Sequence, residues 1–197
     1  MDLHRIKNRL KQEHTLQGDE WKGAVLFLCD EKFVYLIRRS EEMPTHGGQM
    51  AFVGGHKKLD ELDAWETVQR EFEEETSHSR TIIEFLGFLP VVWTARFQPI
   101  VPVVAKLLIP AQDFLYSAKS NGEWVDIMSH PWEKLKDELS WNFAWRVGHS
   151  KSAVMFHTLK TRSYQSPHGN ERAHLLWGAT AGMIWELLRI YNQEKEK

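Results

Sequence analysis

The sequence predicts one α/β domain, with a mixed β-sheet sandwiched between α-helices. Short runs rich in β-branched and aromatic residues recur along most of the chain. Segments with apolar residues at helical spacing lie between and after them, the order expected of a layered α/β unit. The bulk numbers agree: 197 residues, 42% hydrophobic and 26% charged, make a soluble globular domain with a sizeable core.

The elements follow in order. "MDLHRIKNRLKQEH" lacks the apolar stretch of a signal peptide and reads as an amphipathic helix within residues 1–20, ahead of a single domain over 21–197. "AVLFLCDEKFVYLIRRS" places two β-rich runs around Asp30-Glu31-Lys32, a β-hairpin. "PTHGG" is a Pro/Gly loop, and "QMAFV" is a short strand running into Gly54-Gly55. Residues from about 63 to 76 are helical, with Ser77 near the end. "TIIEFLGFL" and "IVPVVAKLLI" are strands, "EWVDI" a weaker one, and "SAVMFHTL" another. "ERAHLLWGATAGMIWELLRIYNQ" has helical periodicity throughout and is expected to be one long helix.

Several function classes are disfavoured at once. The net charge is −2 and no stripe of Lys and Arg appears, so a nucleic-acid partner is not expected. Pro102 and Lys106 interrupt the best apolar run, well short of the ~18 residues of a membrane span. A single cysteine, Cys29, rules out an intrachain disulfide and multi-cysteine metal sites, and reads as a buried hydrophobe. The expectation is a cytoplasmic protein with no membrane partner, a monomer or homodimer.

Chemistry concentrates in "GGHKKLDELDAWETVQREFEEET". An acidic run on a helix is usually a solvated face. Yet Glu71, Glu74 and Glu75, spaced i, i+3, i+4, fall within an arc of about 100°. Glu66 and Glu73 point elsewhere, while Trp65, Val68 and Phe72 form the adjoining apolar stripe. Three carboxylates on one face repel unless a cation sits among them, and hard oxygen ligands without sulfur suit Mg²⁺ or Mn²⁺. Arg70 could hold one of them in orientation by a bidentate bond. The glycine pair allows a tight turn that exposes a backbone carbonyl to the same ion.

The segment resembles the Nudix box, a glycine-led loop and helix carrying R-E-U-x-E-E-x-G-U, with U aliphatic. Here it reads Arg70, Glu71, Phe72, Glu73, Glu74, Glu75, Thr76, Ser77, His78, so Ser77 replaces the glycine and His78 the last aliphatic residue. The glycine-to-arginine spacing is one residue longer than in the general box, as in the coenzyme A pyrophosphatase branch. That branch also carries L-L-x-x-R-S…G-x-V-x-F-P-G-G, matched in order by Leu36, Ile37, Arg39, Ser40, Gly48, Met50, Phe52, Val53, Gly54 and Gly55. Glu61 and Thr67 take the branch's acidic and threonine positions, and the likeness runs from about Ala24 to Leu188, past "PVV" and "WGATA".

The resemblance implies a Nudix fold and metal-dependent hydrolysis of a pyrophosphate bond in a small-molecule nucleoside diphosphate derivative. For the branch, the substrate is coenzyme A or a derivative, and the products are 3′,5′-ADP and 4′-phosphopantetheine. The alternatives are ADP-ribose, dinucleotides or nucleotide sugars, or a Nudix-like binding module without catalysis, although such modules lose box glutamates and this chain keeps all three. Glu71, Glu74, Glu75 and the Gly55 carbonyl are the implied metal ligands. Glu74 is the favoured proton acceptor and Glu123 the second candidate, with Arg70 orienting the carboxylates. Arg39, His46 and His56 are candidate substrate contacts, and Trp93 could stack on a base. Substrate-side loops are expected at about 93–99, 112–122 and 160–171.

Overall fold

The structure, a computed structural model, describes residues 1–16, 20–93, 98–137, 141–146, 152–162 and 171–193, with backbone alone for 143–146, 152–162 and 171–173. Of the expected substrate-side loops, residues 94–97 and 163–170 lie outside the described residues. Its strands are β1 (Gly23–Cys29), β2 (Phe33–Arg39), β3 (Met50–Ala51), β4 (Val53–His56), β5 (Ile83–Phe88), β6 (Val92–Trp93), β7 (Pro99–Leu107), β8 (Trp124–Pro131), β9 (Trp141–Arg146), β10 (Ser152–Arg162) and β11 (Glu171–Trp177). The helices are α1 (Leu3–Lys7), α2 (Ala64–Thr76), α3 (Ala111–Ser117), α4 (Trp132–Leu135) and α5 (Gly178–Asn192).

The main sheet is mixed. β1 lies parallel to β7 and antiparallel to β2 and β4, so the expected class of a mixed sheet holds. β9, β10 and β11 make a separate antiparallel sheet. The hairpin closes at Asp30, whose carboxylate accepts from the amides of Lys32 and Phe33. Beyond Cys29↔Val34 the two strands separate: β1 takes β4 as its partner, and β2 takes β3 and β8. That divergence slots Gly54-Gly55 beside β1, under the acidic helix.

Two apolar layers cover the two sheet faces. One is built on α1, α4 and α5 around Phe27, Val104, Trp132 and Ile184; the other on α2 and α3 around Leu26, Val68, Phe72, Val103 and Phe114. The arrangement is therefore α/β/α, and Cys29 is buried in the first layer as expected. No described helix is long and apolar enough to cross a membrane.

Two expectations about elements are corrected. The N-terminal helix does not extend over 1–20: it ends at Lys7, after which Lys11 forms a β-bridge with Phe88 and Gln12 donates to the Leu86 carbonyl. The chain leaves the helix because the open edge of β5 offers backbone partners that a helix cannot use. The C-terminal stretch is also not one helix. Residues 171–177 pair with β10, and Gly178, at φ +63°, turns the chain into α5. Strand pairing overrides the helical periodicity of "ERAHLLW".

Helix α2 starts behind an Asp63 cap that sequence reasoning did not single out. Asp63 accepts from the Glu66 amide at 2.9 Å, and Glu66 accepts from the Leu62 amide, a reciprocal cap. At the other end Ser77 takes a left-handed φ of 59°, the place where the Nudix box carries glycine. A non-glycine residue is strained there, so Ser77→Gly should stabilise the protein by about 0.5–1 kcal/mol in urea unfolding, with an unchanged m-value.

Candidate active site

The site forms where the C-terminal half of α2 crosses β4 and the start of β8. The glycine pair, expected in a tight turn, instead lies within β4, opposite Val25 and Ala24 of β1. Gly54 has a φ of 154°, and a Cβ there would lie 2.3 Å from the Ala24 carbonyl oxygen. A Cβ on Gly55 would stand 2.2 Å from Glu71 Oε1, so the strand is bare there because the carboxylate occupies that space. The amide of Gly54 donates to Glu75 Oε1 at 2.9 Å.

Arg70 is the hub. Its Nε donates to Glu61 Oε1 at 2.6 Å, Nη1 to Glu71 Oε1 at 2.7 Å and to Glu74 Oε2 at 2.9 Å, and Nη2 to the His56 carbonyl at 2.9 Å. Glu61 is completed by the Thr67 hydroxyl and the Lys58 amide. Burial tends to raise the Glu61 carboxyl, but Arg70, Thr67 and the Lys58 amide outweigh it and hold it below the usual range. Arg70 therefore orients several groups, where one was expected.

The box carboxylates differ sharply. Glu75 is 1% exposed and its Oε2 is buried without a hydrogen bond. Burial is the main cause that raises its carboxyl to about 8; Glu123 and Glu71 add repulsion, against the Gly54 amide and the positive charge of Arg39. Glu71 is also raised, first by burial and then by Glu74 and Glu123, with Arg70 opposing. Glu74 is exposed and bonds Lys58 Nζ at 3.1 Å as well as Arg70. Burial is the largest single cause and raises it, but these two cations together outweigh burial and lower it. Glu66 and Glu73, expected on the solvent side, are used locally: Glu66 in the cap, Glu73 in bonds to Arg80.

As they stand, no three His, Cys, Asp or Glu side chains among the described residues converge closely enough to hold a metal ion. The donor chemistry nevertheless fits a hard cation. An orphaned, buried carboxylate oxygen belongs to a side chain held by the bare glycine pair of β4, and two further carboxylates act on it electrostatically.

Glu123 precedes β8 and is half-buried; its carbonyl accepts from the Ser40 amide at 2.8 Å and its Oε1 from Asn121 Nδ2 at 3.2 Å. Arg39 ends β2 at a bulge opposite Trp124, with its Nε buried and unbonded. Arg38 is spent on Asp126, at 3.1 Å, which leaves Arg39 as the arginine facing the cluster. His46 is exposed in its loop at φ 60°, near Gln49. His56 is exposed at the end of β4, where strand alternation turns it to the face opposite Gly55. Trp93 is 60% exposed at the rim of the sheet. Sequence reasoning missed Lys58 and Trp124, whose contacts depend on loops that carry no motif.

The NUDIX domain family model matches residues 20–144. This chain belongs to the Nudix family. It is 30% identical over 114 residues to the uncharacterized Nudix hydrolase NudL of Yersinia pestis (strain Pestoides F), and equally to that of Yersinia pseudotuberculosis (strain YPIII at serotype O:3). In both cases the match covers 56% of this chain and 56% of the relative, so this Nudix chain spans about half the length of the curated relatives it matches. Among solved structures, an Ap4A hydrolase binary complex from C. elegans aligns at 18% identity and a TM-score of 0.46, covering 57% of this chain and 81% of that one. The NUDIX domain of Shewanella oneidensis NrtR, complexed with ADP ribose, aligns at 24% identity and a TM-score of 0.39, covering 56% and 70%.

The raised carboxyl of Glu75 has a consequence for stability. Its ordinary value is 4.5 and its folded value about 8, so between these the folded chain binds the extra proton. Stability is fully present below pH 4.5 and falls as pH rises toward 8, by at most about 1.4 kcal/mol per pH unit for this one group. In EDTA, denaturant unfolding from pH 5 to 8 should show this decline, and Glu75→Gln should flatten it and exceed the parent protein's stability at pH 8.

Proposed function

We propose that this Nudix protein is a divalent-metal-dependent pyrophosphohydrolase that cleaves coenzyme A or a derivative into 3′,5′-ADP and 4′-phosphopantetheine. One observation carries the reading: Glu75, buried against the glycine pair of β4, keeps one oxygen without a partner while Arg70 holds the neighbouring carboxylates in place. A catalytically silent module would have no use for a buried carboxyl oxygen left without a hydrogen bond. The choice of coenzyme A rests on the Leu36–Gly55 block and the longer glycine-to-arginine spacing.

Mg²⁺ or Mn²⁺, held by Glu71, Glu75 and a further carboxylate, would neutralise the phosphate oxygens and lower the pKa of a bound water. The chain's own residues do the rest. Arg70 fixes Glu71 in the rotamer that faces Gly55. Arg39 offers an unspent Nε–H toward the same cluster, a donor for a phosphate oxygen of the substrate. A water attacks phosphorus, the P–O bond of the bridging oxygen breaks, and the water's proton passes to a carboxylate. Glu74 is held by two cations, which make it a weaker base.

The test is turnover with Mg²⁺ or Mn²⁺ of coenzyme A, ADP-ribose, NADH, GDP-mannose and nucleoside triphosphates, with products identified by mass. Coenzyme A should give 3′,5′-ADP and 4′-phosphopantetheine. Turnover of ADP-ribose or nucleotide sugars alone would move the substrate to that class, and no turnover at all would favour a binding module. Glu75→Gln should lower kcat by at least about 10³-fold while the far-UV circular dichroism stays unchanged. Retained activity in that variant would remove the metal role from α2.

A further inference from the structure

Helix α2 ends in a way that bears on Glu123. The last carbonyls of a helix have no intrahelical partner. Here two of them are taken by one loop: the buried Trp124 indole donates Nε1–H to the Glu75 carbonyl at 2.8 Å, and the Lys119 amide donates to the Thr76 carbonyl at 3.0 Å. The loop is closed on itself by Ser120, whose hydroxyl donates to the Trp124 carbonyl at 2.5 Å and accepts from the Gly122 amide at 3.0 Å. On its far side the Glu123 carbonyl accepts from Ser40, next to Arg39. The backbone of Glu123 is thus pinned from both sides.

The same residue of α2, Glu75, carries the unpartnered carboxylate and the carbonyl that Trp124 grips. The β-bulge opposite Arg39 adds a residue to β8 between Trp124 and Asp126. The extra residue, Val125, is exposed, while Trp124 and Asp126 stay buried. The strand is therefore bent at the point where Trp124 reaches under α2.

We propose that Trp124 is a positioning residue: its indole N–H, locked to the Glu75 carbonyl, holds the 118–123 loop so that Glu123 serves as the third carboxylate of the Glu71–Glu75 cluster. This rests on the metal-dependent hydrolase reading. Glu74, drawn outward by Lys58, leaves that third place to Glu123. Trp124 acts through Glu123 and touches no reacting atom.

The experiment is a double-mutant cycle of Trp124→Phe and Glu123→Gln on the full chain, read by Mn²⁺ titration calorimetry and by turnover. Phenylalanine keeps an aromatic ring in the core while removing the donor together with part of the indole's volume. Each single variant should weaken Mn²⁺ binding by about tenfold and lower kcat with KM within about threefold, as loss of an outer partner does. The double variant should be no weaker than Glu123→Gln alone. Parent-like Mn²⁺ affinity in Trp124→Phe, or effects that simply add, would overturn the clamp and leave Trp124 as packing. If the parent protein binds no Mn²⁺, clamp and metal reading fall together. Absence of turnover with a coupled Mn²⁺ cycle would sink the hydrolase reading alone. Should Trp124→Phe fail to fold, Ser120→Ala frees the same loop from outside the core and should show the same coupling to Glu123→Gln.

Discussion

A carboxylate that is 1% exposed loses its hydration whether or not it is ionised, and Glu75 cannot turn outward to recover it. Its Oε1 is held by the Gly54 amide and its backbone carbonyl by Trp124, so both ends of the residue are fixed. Glu71 and Glu123 repel its charged form, and the positive charge of Arg39 opposes them. Helix α2, the glycine pair of β4 and the loop before β8 are all arranged around this unsatisfied group. A core built for stability alone would put an apolar side chain there, because a buried polar oxygen without a hydrogen bond costs about 1–3 kcal/mol.

The energy that tolerates Glu75 comes from the two packed layers and from Arg70. Val68 and Phe72 seat α2 on the sheet, and Phe114 stacks on Phe72 from α3. Arg70 then balances much of the acidic charge by bonding Glu61, Glu71 and Glu74 at once. These bonds are unequal. The Glu61 pair is nearly buried and completed by Thr67 and Lys58, so it anchors the guanidinium; the Glu74 pair is exposed and worth at most about 1 kcal/mol. Arg70 is rigid toward the loop and loosely held at its outer end.

Local chemistry made α2 legible in the sequence. The helical character of residues 63 to 76 and the i, i+3, i+4 glutamates on one face are both found in α2, while the glycine pair, read as a turn, is strand because β1 pairs with it. The hairpin was equally legible, since Asp30 closes it through its own neighbours. What escaped was non-local. "ERAHLLW" has helical spacing, yet β10 supplies backbone partners for all seven residues, and only Gly178 hints at the break. The N-terminal segment stops its helix at Lys7 for the same reason, to cover the edge of β5. Likewise Glu74 and Glu75 are adjacent in sequence and look equivalent on a helical wheel, but only depth of burial tells them apart.

Glu74 and Glu123 differ in what holds them. Glu74 sits in solvent between Lys58 and Arg70, and its contacts can be exchanged for others at a cost of about 1 kcal/mol or less. Glu123 lies on a loop whose position is set by Ser40, Lys119 and Trp124, contacts to backbone that a change of rotamer does not undo. A group held by its backbone keeps its place when charge develops beside it, whereas a group held by exposed surface cations must first be released. Of these two carboxylates, Glu123 is therefore the one whose place the fold determines.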